Sequence, residues 1–356
     1  MVVDEIRKNG SFCIYGAQVV AYGAYTAIHH LCGQKPESFV VGSLDNNPAE
    51  IEGIPVRELE EVPREMFLIV GVTELVQKEV LPMLEKKGYR NVFALTQHEE
   101  HLLMSAYFNR IHRFPLLAGH GAEGFMGTKT GEGADLVLYE VRNHRDNPLA
   151  EPPELFPYER PIQAGAAVTD IRVTDLTDDT GDSISRKNRQ YCEMSATYWV
   201  WKNTDHSWRG IEHYRRHLLV RPEMLHDGID AVLPLPYICY PDTVSQFRRF
   251  VSEDVLDALL KALRALHPDE YGDYLGILHG KYQYTYNLVC ARKEVFDRYC
   301  AWFFRITEYM ETMAGEVPEI AETRALSYVA EVLTNLYFMH NREGWNIRHA
   351  EKEIYV

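Results

Sequence analysis

Along the first hundred residues, short apolar runs alternate with segments of helical spacing. "SFCIYGA" is a strand running into a glycine turn, and "VVAYGAYTAIHHLCG" is a helix that stops at Gly33. "ESFVVGSLDNNP" is a second strand closed by an Asp-Asn-Asn-Pro turn. "EMFLIVGV" is a third, "ELVQKEVLPMLEKKG" a helix stopped by Gly88, and "RNVFAL" a further strand. Strands separated by helices predict a parallel sheet covered by helices, here a small Rossmann-like domain over residues 1–113.

The pattern then breaks. "PLLAGHGAEGFMGTKTGEG" holds Gly119, Gly121, Gly124, Gly127, Gly131 and Gly133, too many for a packed element. It reads as a linker over 114–134, or as a long glycine-rich active-site loop inside one larger domain. From Asp135 the alternation restarts. "ADLVLYEV" is a strand, "RNHRDNPLAEPPELFP" an irregular loop, and "ISRKNRQYCEMSATYWVWKN" an aromatic-laden helix with Ser183 or Ser185 as candidate cap. "SWRGIEHYRRHLLV" and "GIDAVLPLP" are short strand candidates. "SEDVLDALLKALRALHPDEYGDYLGIL" is helical, "YTYNLVCARKEVFDRYCAWFFRITEYMETM" a strand followed by a long helix, and "ETRALSYVAEVLTNLYFMHNR" a closing helix. The second domain, 135–356, is therefore α/β or α+β and larger than the first.

Composition narrows the function. A net charge of -15 argues against nucleic-acid binding, which needs a basic face. No run approaches the roughly 18 apolar residues of a membrane helix, and the N-terminus lacks the apolar stretch of a signal peptide; a cytoplasmic protein is expected. The six cysteines are scattered without a C-x-x-C pair, which argues against a zinc site and for a reducing compartment.

Against this acidic background, "GIEHYRRHLLVR" concentrates His213, Tyr214, Arg215 and Arg216. Guanidinium forks grip phosphate in two places, so the arginines suit a phosphorylated ligand; equally, they suit surface pairing with the many carboxylates. His213 is a candidate metal ligand or general base. In "GDSISRKNRQYCEMSATYWVWKN", Asp182, Ser183, Ser185 and Asn188 crowd a predicted helix start, where backbone amides bind anions. Glu193, Tyr198, Trp201 and Lys202 follow. Tyr198 and Trp201 are either sugar-stacking rings or core packing at helical spacing. In the first domain Gly16 begins a broken dinucleotide fingerprint, with Gln18 and Ala21 in its other glycine positions; Asp45 stands where a ribose partner would.

"PIQAGAA", "GDSISRKNRQYCEMSATYWVWKN", "GIEHYRRH", "DAVLPLP", "YNLVCARKEVFDRYCAWFF" and "RALSYVAEVLTNLYF" occur in that order. Together they resemble a family of bacterial capsular and exopolysaccharide biosynthesis proteins, regarded as glycosyltransferases with a GT-A-like nucleotide-diphospho-sugar fold. The resemblance runs from about Asp135 to Phe338. It implies transfer of a galactofuranosyl or another hexosyl group from a nucleotide-diphospho-sugar such as a UDP-hexose to a growing, lipid-linked glycan. It is compatible with a homo-oligomer and with peripheral contact at the inner face of the membrane. By position it brings Val141 and His144 to the nucleotide, Gln163 and Gly165 to the segment after the first loop, and Asp182, Ser185, Asn188 and Glu193 to the donor pocket. His213 to Arg216 fall where such enzymes hold a metal-binding Asp-x-Asp. The chain has no Asp-x-Asp, so the arginines stand in for the metal, or Glu212 or Asp230 holds Mg²⁺ or Mn²⁺. On this reading Arg215 and Arg216, helped by Lys202, stabilise the leaving diphosphate. Glu331 is the candidate base in an inverting reaction, with Glu193 and Asp230 as rivals. The competing readings are an NAD-dependent sugar-nucleotide oxidoreductase or epimerase, and a non-catalytic nucleotide-sugar-binding scaffold.

Overall fold

In the computed structural model, which describes residues 2–118 and 133–355, the chain divides into two units. One runs to Pro115 and includes Tyr237–Pro241; the other comprises Leu116–Pro236 and Asp242–Tyr355. Residues 119–132 of the glycine-rich segment lie outside the described residues.

The first unit is the α/β sheet that the alternation predicts. Its strands are Phe12–Tyr15 (β1), Phe39–Val41 (β2), Glu50–Ile51 (β3), Ile54–Glu58 (β4), Phe67–Val70 (β5) and Val92–Ala94 (β6), in the order β3-β4-β2-β1-β5-β6. All pairs but β3–β4 are parallel. β1 and β5 are buried at every position, as strands covered on both faces must be. Gly16 ends β1 at φ 120, and a Cβ there would lie 2.7 Å from the Gly71 carbonyl oxygen, so only glycine fits the turn. The helix Val19–Cys32 follows and closes on Gly33 at φ 74. The helices Val2–Asn9 and Gln97–Arg110 and the strand β4 are elements that the pattern did not announce.

The second unit is built on a mixed sheet. Leu136–Arg142 (β7), Glu159–Gln163 (β8), Leu176–Thr177 (β9) and Trp208–His213 (β10) are joined by Arg216–Leu218 (β11) and Ala231–Pro234 (β12). After the short strands Tyr237–Ile238 (β13, in the first unit) and Tyr282–Gln283 (β14) come Val289–Arg292 (β15), Ile347–Ala350 (β16) and Lys352–Ile354 (β17). The order is β16-β12-β15-β10-β7-β8-β9, with β11 pairing β10 and β17. β10, β7, β8 and β9 run parallel; β15 runs against β10 and β12.

Alternation gives this sheet two different faces. On one, Leu136, Leu138, Trp208, Val232 and Cys290 enter an apolar core with Leu218 and Val220. On the other, Arg209 is fully buried. It ion-pairs with Asp297 and donates to the carbonyls of Val200, Trp201 and Thr204, and so ties the helices Met194–Asn203 and Lys293–Glu311 to the sheet. A cation at the end of a helix also meets the negative end of its dipole.

The single helix expected over "ISRKNRQYCEMSATYWVWKN" is corrected. A 3-10 turn, Ser185–Lys187, leads into a short helix, Asn188–Tyr191, and the longer helix starts afresh at Met194. The break is at Cys192, whose φ is 48. Asn188 Nδ2 fixes it by donating to the Cys192 carbonyl (2.7 Å) and the Ser195 hydroxyl (3.0 Å). Neither Ser183 nor Ser185 caps the long helix.

Candidate functional site

The arginine knot is a hairpin. β10 and β11 are antiparallel, with His213 opposite Arg216 and only Tyr214 and Arg215 in the turn. Continuing that register puts His217 opposite Glu212. The pleat then sends His213 and Arg216 to the helix-covered face, and Glu212 and His217 to the other. The turn sits at the carboxyl end of β10 and β7, where ligands of parallel sheets bind.

On the helix side, Nδ1 of His213 and Nε of Arg215 and Arg216 are buried without hydrogen-bond partners among the described residues, as is Nδ1 of His144 in the loop after β7. Buried donors left unmade are costly, so such atoms mark a place for a ligand. Burial and the charges of Arg216 and Arg215 push His213 down to about 3, so its imidazole is neutral. The Arg216 guanidinium lies 4.3 Å from the centre of the Tyr286 ring, a cation–π contact.

Two carboxyls from distant segments meet this arginine. Glu331, on the helix Ala325–Asn341, is pushed up to about 7 by burial and by Glu193, against the pull of Arg216 and the Tyr286 amide. Glu193, at the start of the helix Met194–Asn203, is also raised: burial outweighs the hydrogen bond from Asn287 Nδ2 (2.9 Å) and the charges of Arg216 and Arg324. Tyr286 and Asn287 have φ of 69 and 52, a conformation that costs energy outside glycine. Asn287 is held there because its Oδ1 accepts from Thr334 (3.0 Å) while its amide serves Glu193.

The loop after β7 adds a further edge. Asp146 accepts from the Asn143 amide (2.7 Å) and sits within the field of Arg215 and Arg142; burial nevertheless pushes it up to about 6. Asn143 Nδ2 donates to the Ala164 carbonyl (3.0 Å) and Asn188 Oδ1 (3.3 Å). At Gly165, φ 71, a Cβ would lie 2.5 Å from Asn188 Oδ1, so glycine is required. The fully buried Asp178 accepts from the amides of Gly165 and Ala166 and the hydroxyls of Ser185 and Ser195. A cavity of about 760 Å³ opens beside the Asp178 network, lined by residues 166–170, Arg172, Asp179 and residues 183–187.

Thus His144, Asn188, Glu193, His213, Tyr214, Arg215, Arg216 and Glu331 gather at one end of the sheet. Other predicted residues do not join them. Gln163 is fully buried and spends its amide on Ile171 (2.8 Å) and Val173 (2.9 Å) of its own loop. Ser185 is consumed by Asp178 and the Ala167 amide. Asp182 is bound to Asn203 and Tyr198, at the far end of the helix that Glu193 begins. Ten residues of helix separate the two ends by about 15 Å, and Lys202 and Trp201 share that far end. Trp201 stacks on Phe304 (5.7 Å, 5°) and carries the Lys202 ammonium 3.5 Å from its ring centre; Tyr198 packs edge-on against both rings. The three rings pack on one another. Asp230 precedes β12 at the opposite end of the sheet, where its carboxylate accepts from the Asn346 amide (2.8 Å). In the first unit Asp45 is exposed and pairs with Ser43, while Gln18 contacts Asn47.

Tyr286, Asn287, Arg324, Asp146 and Asp178 were not read from the sequence. A Tyr-Asn pair just before a strand is a weak turn signal, since asparagine tolerates positive φ; nothing local marks the others.

The opposite face of the hairpin is acidic. Glu140, Glu159 and Glu212 surround His217, all buried. Burial opposes charge on His217, but hydrogen bonds to Glu140 and Glu159 outweigh it and raise the imidazole to about 10. Burial raises Glu212 to about 8, although the His217 charge pulls it down. Burial would also raise Glu140, yet it is held low by its hydrogen bonds to His217 and Arg142, the latter at 2.6 and 3.1 Å.

Among the described residues, no helix is long and apolar enough to cross a membrane. No curated protein matches the chain significantly. Among solved structures, the apo form of WbbM, a bifunctional glycosyltransferase, matches with a TM-score of 0.51 and 22% identity, over 62% of this chain and 45% of that one. The chain thus spans less than half of that protein's length, and the likeness establishes a shared α/β fold. Residues 141–342, more than half of the chain and the segment that contains the whole hairpin site, match a domain of unknown function, DUF4422, and the chain belongs to that family.

Proposed function

We propose that the second unit is a glycosyltransferase domain of GT-A-like type that takes a sugar from a nucleotide-diphospho-sugar. The observation that carries this reading is the set of unpartnered cationic and imidazole nitrogens of His213, Arg215 and Arg216 beside the raised carboxyl of Glu331. The fold shared with a bifunctional glycosyltransferase supports it. The donor diphosphate lies against Arg215 and Arg216, with Tyr286 steadying Arg216. The acceptor hydroxyl attacks the anomeric carbon, its proton passes to Glu331, and the carbon–phosphate-oxygen bond breaks. The negative charge on the departing diphosphate meets the guanidinium groups. A base with a pKa near 7 suits neutral pH. Glu193, in the same cluster, keeps Glu331 basic through its charge.

A donor-bridging Mg²⁺ or Mn²⁺ does not fit the arginine face, where two guanidinium groups would repel it. No step is routed through such an ion; guanidinium charge takes its place. A UDP-hexose donor, inverting stereochemistry and a lipid-linked capsular or exopolysaccharide acceptor complete the proposal, and they rest on the ordered sequence motifs. The domain arrangement proposed is a Rossmann-like domain over 1–113 and the transferase domain over 135–356. The test is a panel of nucleotide sugars in a thermal-shift assay, followed by donor turnover with and without sugar acceptors. Stabilisation by UDP-hexoses and loss of turnover in an Arg215→Ala/Arg216→Ala double variant are expected. Tight binding of a nicotinamide dinucleotide with no response to nucleotide sugars would overturn the reading.

A further inference from the structure

Glu159, Glu212 and His217 bring one ligand atom each within 4.8 Å of one another. His217 Nδ1 lies 3.3 Å from Glu159 Oε1 and 3.8 Å from Glu212 Oε2. An ion held tetrahedrally at about 2.0–2.1 Å from its ligands spaces them by about 3.4 Å, so the cluster already has nearly the dimensions of a zinc site.

The outer contacts are those of ligands. Each glutamate has one oxygen fixed by a backbone amide: Glu159 Oε2 accepts from Phe156 (2.5 Å) and Glu212 Oε1 from Leu218 (2.7 Å). The other oxygens point to the centre. Glu212 is 1% exposed, and its Oε2 has no hydrogen-bond partner among the described residues although it is aimed at the histidine. On the far side of the imidazole, Nε2 faces Glu140 Oε1 at 3.5 Å, and Glu140 is in turn gripped by Arg142. A carboxylate behind the imidazole is the usual device for fixing the tautomer of a metal-binding histidine. Charge agrees: Arg142 neutralises Glu140, and a dication neutralises Glu159 and Glu212.

We propose that Glu159, Glu212 and His217 form a buried site for a divalent transition metal of the zinc class, behind the arginine hairpin and separate from the donor pocket. An imidazole in the ligand set disfavours magnesium and calcium. The absence of paired cysteines spoke against zinc in the sequence, but this set needs none. The ion fastens β11 to β10 and β8 and thereby holds the turn that carries Arg215. The proposal is independent of sugar transfer.

The test uses the full chain, stripped with a chelator and titrated with zinc alone and cobalt alone. One equivalent should bind, raise the melting temperature and give a tetrahedral cobalt spectrum. Glu212→Gln and Glu159→Gln should abolish that equivalent, and Glu140→Gln should weaken affinity by about ten- to a hundredfold. X-ray absorption of the zinc-loaded wild type needs no variant, and should report nitrogen and oxygen neighbours with one imidazole. Sulfur in that shell, binding unchanged in both glutamine variants, or no equivalent bound by wild type would each overturn the site; in the last case a protonated His217 alone holds the cluster.

Discussion

The side of the hairpin that faces the helices carries His213 and Arg216 with nitrogens that have no hydrogen-bond partner among the described residues. The side that faces Glu140 carries Glu212 and His217 in a cluster of buried carboxylates. The residues alternate along the same two strands, and the pleat alone separates them. A knot of charged letters can therefore be two sites back to back. One face leaves polar groups for a ligand to satisfy; the other fixes the backbone from which that face is presented.

The two faces differ most at the turn. Arg215→Ala/Arg216→Ala should lower donor turnover by at least about a thousandfold, the scale for removing charge-stabilising donors, with the melting temperature nearly unchanged. A large loss of stability instead would mean that the arginines are structural. On the other face, Arg142→Ala leaves the buried Glu140 carboxylate without its guanidinium. Denaturant unfolding should show a loss of about 3 kcal/mol, and the remaining folded protein should bind nucleotide sugar normally.

Glu331→Gln sharpens the chemistry of the helix-side face. Turnover should fall about a hundredfold. In the wild type it should rise with pH through about 7 as the carboxyl ionises, and the variant should lose that limb. The same group has a stability signature of known sign. Its folded value lies above the ordinary 4.5, so stability should fall as pH rises from 4.5 to about 7, and the glutamine variant should flatten that slope. Tyr286→Leu is the mildest change. Losing the cation–π contact, worth about 1 kcal/mol, should raise the KM for the donor about fivefold and leave kcat within about twofold. Trp201→Leu, by contrast, should cost stability without altering donor KM, because its ring packs on Phe304.

Much of the fold was legible. The strand–helix alternation of the first unit, the strand at Leu136–Arg142 and the long helix Lys293–Glu311 all follow from apolar spacing. The break at Cys192 was not, because it depends on the Asn188 side chain, four residues earlier, capturing a carbonyl. Among the site residues, Arg215, Arg216, Glu193 and Glu331 stood out as residue types, and the structure gathers them. Lys202, Trp201, Asp182 and Asp230 had the same chemical merit. A helix about 15 Å long takes the first three away from Glu193, and strand direction takes Asp230 to the other end of the sheet.

Local periodicity and composition suffice for the α/β class, the positions of most elements and the inventory of charged groups. Which charges meet depends on how the strands and helices fold together. Glu193, Tyr286 and Glu331 reach Arg216 because helices and a strained turn converge on one strand end, and Arg324 acts on Glu193 from a further segment. Glu140, Glu159 and Glu212 close on His217 because three neighbouring strands share one face of the pleat. Register and strand direction, which carry no local signature, made one hairpin both a ligand-facing surface and a buried acidic centre.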